Sequence, residues 1–238
     1  MDAPSLLART LAAYRRKGLG FVWYKLLKRT LQDRPLLARH ILYRSPHWYW
    51  EQRGGIDYFL EQEAQPARTA CSEFIAAQIA RYEPQSLLEL GCGYGKQLAS
   101  LRACTRVPLV GADWCRSQLA LAASYLRSYA NIGLVQADAL RLPFPDKSFD
   151  VVMTSAVLLH HPPPQSDVMR REICRVGRRL AIHNEDTDTS FSRFGLDTAA
   201  AYRSDGYSVL ECRTIPVAEH PEHTQFCVVD LRSARRLE

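Results

Sequence analysis

Acidic residues mark the ends of three successive apolar runs. Glu89 lies in Leu87-Leu-Glu-Leu, Asp113 follows Val107-Pro-Leu-Val-Gly-Ala, and Asp138 follows Ile132-Gly-Leu-Val-Gln-Ala. Directly after the first run stands Gly91-Cys-Gly-Tyr-Gly. Glycines at alternate positions let a backbone turn tightly and approach a ligand where a side chain would block it. An apolar strand that enters a Gly-rich turn and then a helix begins a nucleotide-binding crossover, and an acid about 20 residues further on meets a ribose hydroxyl pair. A fourth apolar run is followed by His160 and His161. A histidine titrates near neutrality and can take a proton from a substrate.

The glycine spacing discriminates between ligands. A dinucleotide fingerprint reads G-x-G-x-x-G, with a pyrophosphate on the following helix N-terminus. This chain reads G-x-G-x-G, with Glu89 two residues before the first glycine. A carboxylate there repels a pyrophosphate and suits a cation such as an amino-acid ammonium. The combination resembles the class I methyltransferases that use S-adenosylmethionine. The resemblance extends to Leu142-Pro-Phe-Pro-Asp-Lys-Ser-Phe-Asp-Val-Val and to Ser155-Ala-Val-Leu-Leu-His-His, and covers about residues 70 to 185. It implies a doubly wound, seven-stranded, mostly parallel α/β sheet with a closing antiparallel hairpin. It also implies S-adenosyl-L-methionine as cofactor.

Ligands of open α/β sheets bind beyond the carboxyl ends of the strands. On that geometry Gly91, Cys92 and Gly93 face the methionine part, and Glu89 faces its ammonium. Asp113 accepts from the ribose hydroxyls, and Trp114 stacks on the adenine. Asp138 accepts from the adenine amine, the backbone of Ala139 and Leu140 reaches the ring edge, and Ser155 closes the fourth strand. His160 is the candidate base. Ala181-Ile-His-Asn-Glu-Asp ends the fifth strand with carboxylates, expected to be exposed beside the acceptor pocket. No ligand spacing requires a metal. The N-P-P-Y type motif of amide and adenine N-methyltransferases is absent, which leaves small-molecule O-, N- or C-methylation.

These residues need elements to hold them. Apolar patterning places strands near 86–90, 107–112, 132–136, 149–155 and 179–183 and helices near 95–104, 117–130 and 165–175, with Ser117 and Ser166 as N-caps. The alternation argues a parallel sheet covered on both faces. Residues 66–238 form the expected catalytic domain, closed by strands at 207–215 and 224–231. Residues 1–65 form the expected extension: basic helices, with Leu6, Leu7, Leu11 and Tyr14 on one face, then an aromatic segment from Trp48 to Phe59 that caps the site.

Composition sets the outer bounds. The chain has 238 residues, 47% apolar and 24% charged, enough for one domain with a full core plus an extension. Seven scattered cysteines without a C-x-x-C pair read as free thiols in a reducing, cytoplasmic setting. No secretory signal and no membrane-spanning run is expected. The net charge is +6, yet residues 1–50 hold ten Lys and Arg against Asp2 and Asp33. That excess fits three uses: a packed cap with solvated charges, a peripheral contact with anionic lipid through Phe21, Trp23, Tyr24 and Leu27, or the footprint of an RNA methyltransferase. The leading expectation is a small-molecule methyltransferase. A non-catalytic cofactor-binding scaffold is the alternative outside the enzymes.

Overall fold

The computed structural model describes residues 6–233, with side chains from Tyr14 onward apart from Arg16 and Lys17. Five helices come first: α1 (Leu6–Thr30), α2 (Pro35–Leu42), α3 (Pro46–Arg53), α4 (Ile56–Glu63) and α5 (Pro66–Ala80). Strands and helices then alternate through β1 (Leu87–Leu90), α6 (Lys96–Cys104), β2 (Leu109–Asp113), α7 (Arg116–Tyr125), β3 (Ile132–Gln136), β4 (Phe149–Ser155), α8 (Pro163–Val176) and β5 (Gly177–Asp186). A short hairpin of β6 (Thr189–Ser190) and β7 (Arg193–Phe194), helix α9 (Thr198–Ser204) and strands β8 (Ser208–Thr214) and β9 (Thr224–Asp230) complete the chain.

The seven-stranded sheet has the order β3-β2-β1-β4-β5-β9-β8. Its first five strands are parallel, and β9 lies antiparallel between β5 and β8. The expected doubly wound sheet and closing hairpin are both present. The order reverses between β1 and β4, and a crevice opens at such a switch point.

Burial follows the strand period of two. Leu87, Leu109, Val151, Met153, Leu180, Ile182, Phe226 and Val228 face one layer, where Ile75 and Ile79 of α5 and Leu98 and Leu101 of α6 meet them. Leu88, Leu90, Val152, Ala181, Cys227 and Val229 face the other, against Met169 and Ile173 of α8 and Tyr202 of α9. Because β1 is buried at all four positions, it reads as a continuous apolar run interrupted only by Glu89.

The expected helix caps differ. α7 starts from Cys115, and the Ser117 hydroxyl sits 3.2 Å from the Cys115 sulfur. α8 opens on Pro162 and Pro163, which leaves Ser166 inside the helix, where its hydroxyl donates to the Leu158 carbonyl. Pro at the first helical position has no amide to leave unpaired and a preset φ, so it starts the helix in place of the expected serine cap.

The basic extension packs on the molecule. α1 is broken at Gly18 (φ 76°). Beyond the break Phe21, Tyr24 and Leu31 join Leu42, Tyr43 and Tyr49 in an aromatic core that also takes up Phe191 and Phe194 of the β6–β7 hairpin. Arg39 donates to the carbonyls of Ser190, Phe191 and Arg193, so α2 grips that hairpin by its backbone. This corrects the lipid-facing set: Phe21 and Tyr24 are each 2% exposed, and the outward stripe is Leu19, Trp23 and Leu26. The expected face of Leu6, Leu7 and Leu11 lies outside the described side chains. Among the described residues no helix is long and apolar enough to cross a membrane.

Candidate active site

A cavity of about 460 Å³ opens at the carboxyl edge of the sheet. Its floor holds Glu89, Gly91, Cys92 and Gly93, with Asp113, Trp114, Asp138 and Ala139 on one side and Ser155, His160 and His161 on the other. Of the residues expected from the sequence only Leu140 is missing from this wall. Its amide donates instead to Asp138 Oδ1 (2.9 Å), so the turn after β3 closes on itself.

The glycine loop is shaped by two requirements. Gly91 adopts φ +72°, and a Cβ there would stand 2.4 Å from a Val157 methyl. Gly93 adopts φ +54°, yet a Cβ would meet nothing within 4 Å. Gly91 is therefore small because the post-β4 turn packs on it, whereas Gly93 borders open space. The Gly93 amide donates to Asp113 Oδ2 and the Cys115 amide to Oδ1, each at 2.8 Å. Asp113 ties the ends of β1 and β2 together, and each oxygen keeps a lone pair. Burial raises its pKa, against the lowering by those two amides.

Glu89 is 3% exposed, and its Oε2 has no hydrogen-bond partner among the described residues. Burial, then the nearby Asp113 charge, push its carboxyl well above the usual range. Trp114 Nε1, Gln118 Oε1 and Asn184 Oδ1 are likewise buried without partners and line the same cavity. Native interiors satisfy nearly all such groups, so a cluster of four marks a wall built for a polar ligand.

His160 is 9% exposed. Its Nδ1 lies 2.6 Å from the Ser192 carbonyl, which only accepts, so Nδ1 carries the proton and Nε2 keeps a free lone pair. Burial lowers its pKa to about 4, so the ring is neutral at pH 7. Trp50 meets the ring edge-on at 4.9 Å. The Tyr43 hydroxyl donates to the His160 carbonyl (2.7 Å) and accepts from Trp50 Nε1 (3.2 Å). Sequence alone barely separated His160 from His161. In the structure His161 Nδ1 donates to its own turn at the Val157 carbonyl (3.0 Å).

The aromatic segment lies over the cleft. Tyr49, Trp50 and Tyr58 line the cavity, and Phe59 packs edge-on against Tyr94 of the glycine loop at 5.0 Å. Ser45 caps α3 by accepting from the Trp48 amide, and Pro46 starts the helix. Three contributors escaped the sequence reading. His47 stacks on Trp114 at 3.8 Å and 15°, so one face of that indole is already covered. Arg53 pairs with Glu61 and lies over the Tyr58 ring at 4.8 Å. Glu185, expected at the surface, is fully buried; it accepts from the Thr154 hydroxyl and from the Val157 and Leu159 amides. Only the histidine-aromatic spacing at 47–50 carried a signal for any of these.

Comparison with known proteins agrees with this architecture. The family described as "Methyltransferase domain" matches residues 87–179. Methyltransferase GfsG of Streptomyces halstedii is 32% identical over 153 residues, 61% of this chain and 52% of that protein. The 27-O-demethylrifamycin SV methyltransferase of Amycolatopsis mediterranei is 30% identical over 143 residues, 57% of this chain and 49% of the other. The chain thus spans about half the length of these curated relatives. The fold is shared with magnesium protoporphyrin IX methyltransferase of Synechocystis, solved with SAM bound, at TM-score 0.59 and 15% identity over 77% of this chain and 89% of that one. The strand order, the glycine loop and the match over residues 87–179 together show that the chain carries a class I methyltransferase domain.

Proposed function

We propose that this chain transfers a methyl group from S-adenosylmethionine to a hydroxyl oxygen of a small-molecule acceptor. The carrying observation is the arrangement around one cavity: orphaned polar atoms at the glycine loop on one side, and a neutral His160 with a free Nε2 on the other.

The residues present fit the cofactor. The unpartnered Glu89 Oε2 suits an ammonium donor, the open space at Gly93 admits a backbone contact, and Asp113 retains lone pairs for a ribose diol. Trp114, Asp138, Ala139, Cys92 and Ser155 supply the remaining wall. When bound, S-adenosylmethionine supplies an electrophilic methyl carbon whose leaving group is neutral, so no oxyanion hole is needed. The chain contributes alignment, which alone supplies about 7–11 kcal/mol in well-oriented systems. Tyr49, Trp50 and Tyr58 exclude water from the cleft and give an acceptor an apolar wall. His160 Nε2 holds the acceptor hydroxyl. A base with pKa about 4 does not deprotonate a free alcohol at pH 7. It takes the proton late, as the attacking oxygen gains positive character and becomes strongly acidic. Several similar proteins bear names of O-methyltransferases, from Aspergillus sclerotiorum among others, which supports oxygen as the receiving atom.

Calorimetry with S-adenosylhomocysteine and with a nicotinamide dinucleotide tests the cofactor assignment; tighter dinucleotide binding overturns it. Mass spectrometry of a panel of hydroxylated secondary metabolites with labelled S-adenosylmethionine tests the reaction. His160→Gln lowers turnover at least tenfold while S-adenosylhomocysteine binding holds.

A surface contact completes the reading. α1 turns Leu19, Trp23 and Leu26 outward at 66%, 58% and 54% exposure, beside exposed Lys25 and Arg29. An outward apolar stripe within a strongly basic segment suits an anionic lipid interface. Salt-sensitive sedimentation with anionic vesicles, lost on changing the three to Ser, supports it; no sedimentation of the full chain overturns it.

A further inference from the structure

A buried polar chain runs from α9 through two strands to the turn that carries His160. The Tyr202 hydroxyl lies 3.0 Å from His183 Nε2, His183 Nδ1 lies 2.8 Å from Thr154 Oγ1, and Thr154 Oγ1 lies 2.6 Å from Glu185 Oε1. Thr154, His183, Glu185 and Tyr202 are all 0% exposed. At the far end Glu185 accepts from the amides of Val157 (3.1 Å) and Leu159 (3.1 Å).

The donor sense of this chain follows by elimination. The two amides donate to Glu185, whose carboxyl burial pushes up to about 7. Above that pH it is a carboxylate, which only accepts, so the Thr154 hydroxyl donates to it as well. The Thr154 hydrogen is then spent on Glu185, and its oxygen accepts from His183. His183 must hold its proton on Nδ1, and its bare Nε2 accepts from Tyr202. With Glu185 ionised each member is satisfied in this direction, and a fully satisfied buried network rigidifies its surroundings.

What it holds is a strained segment. Ala156 adopts φ +53°, a left-handed conformation that a non-glycine residue keeps only when its surroundings impose it. Val157 packs against Gly91 of the glycine loop, and His160 stands at the end of the same turn. We propose that Glu185 is the positioning residue of this site: its carboxylate, backed by Thr154, His183 and Tyr202, fixes the 156–160 turn, and through it the wall behind Gly91 and the direction of His160 Nε2. The proposal rests on the methyltransferase reading only for the use made of that turn.

Glu185→Gln is the diagnostic change, with Thr154→Ser as the conservative control. In that variant the carboxamide oxygen must face the two amides, so the carboxamide NH2 faces Thr154. Thr154 then accepts from it and donates to His183, which must move its proton to Nε2. Long-range proton–nitrogen spectra of the histidine rings, recorded at about pH 8.5 so that Glu185 is ionised, should show His183 as the Nδ1–H tautomer in the natural protein and in Thr154→Ser, and as Nε2–H in Glu185→Gln. Hydrogen exchange at Val157 and Leu159 should be about ten- to a hundredfold faster in Glu185→Ala, the range that losing a hydrogen bond to a charged group implies. Amides of β1 and β4 should be unchanged, and the His160 ring signals should shift. Unaltered turn protection and an unaltered His160 in both Glu185 variants overturn the proposal. If Glu185→Ala does not fold, the tautomer in Glu185→Gln decides alone, and an Nδ1–H ring there overturns it. None of these readouts needs a ligand. Failure of the natural protein to bind S-adenosylhomocysteine would defeat the methyltransferase reading and leave the turn assignment standing.

Discussion

The two edges of the sheet treat buried carboxylates in opposite ways. At the amino edge Asp150, 3% exposed, is fully satisfied. It accepts from the Arg179 guanidinium (2.9 Å) and the Gln85 amide (3.0 Å), and its own amide donates to Ser86 Oγ. Burial pushes its pKa up, but Arg179 and the Gln85 amide hold it below the usual range. At the carboxyl edge Glu89 is equally buried, has an oxygen with no partner and is pushed upward. Both lie on adjacent central strands, so strand environment does not explain the difference. One edge is built to be stable alone. The other leaves polar atoms unpaired for a ligand and is less stable for it.

Four measurements can break or sharpen that contrast. The largest effect belongs to Asp150→Ala, which should cost about 2–3 kcal/mol of folding stability, because Arg179 loses its carboxylate partner but keeps the Tyr82 carbonyl and still reaches water. Binding of S-adenosylhomocysteine by the folded variant should not change. An unaltered denaturation midpoint would mean that the amino edge is not held this way.

Asp113→Ala should weaken S-adenosylhomocysteine binding by about 1.5–3 kcal/mol, as for lost charge-assisted hydrogen bonds. It should also cost about 1 kcal/mol of stability, since the Gly93 and Cys115 amides lose their acceptor. Isothermal calorimetry and urea unfolding separate the two, and unchanged affinity would detach β2 from the ligand site.

The pH dependence comes next. His160 and His183 are held at about 4 and about 3, below their ordinary 6.5. The unfolded chain therefore binds more protons than the native one between those values. Their contribution is complete above pH 6.5 and is lost as the pH falls toward 4, by up to about 1.4 kcal/mol per pH unit for each ring. Glu185, raised to about 7, acts in the opposite sense. Its contribution is complete below about 4.5 and fades as the pH rises through 7. Unfolding from pH 7 to 4.5 should give a shallower slope for His160→Gln than for the natural chain. Equal slopes would show that His160 titrates normally.

The smallest effect is expected at Glu89→Gln. Replacing a buried carboxyl that has an unpartnered oxygen by its neutral isostere should leave stability within about 0.5 kcal/mol of the natural protein or raise it slightly, even though the residue is central and buried. A loss of several kcal/mol would show that Glu89 holds the core and not the ligand.

The elements around the site were legible because they obey short-range rules. The strands at 86–90 and 149–155 are apolar runs bounded by turn residues, and both coincide with β1 and β4 within a residue. The glycine loop was legible because Gly91-Cys-Gly-Tyr-Gly follows an apolar run directly, and the positive φ at Gly91 and Gly93 is a conformation that glycine adopts without strain. Glu185 was not legible. At the end of an apolar strand it looks the same whether water or three donors wait beyond it, and those donors come from Thr154, Val157 and Leu159, 26 to 31 positions away.

The sequence by itself determined the alternation of strands and helices, the acids at strand ends and the excess of positive charge in the first 50 residues, because each depends on side-chain type and local spacing. Tertiary structure alone decided the rest. It chose which face of α1 is buried, since Phe21 and Trp23 are chemically interchangeable until the aromatic core around Tyr24 and Tyr49 takes up one of them. It put His47 on Trp114 and Arg39 on the β6–β7 hairpin, contacts between segments far apart in the chain. It also separated His160 from His161, because only the Ser192 carbonyl, 32 residues away, fixes one ring with its free nitrogen available. Local chemistry sets what a residue can do; which partner reaches it is set by loop closure over tens of residues, and periodicity carries no record of that.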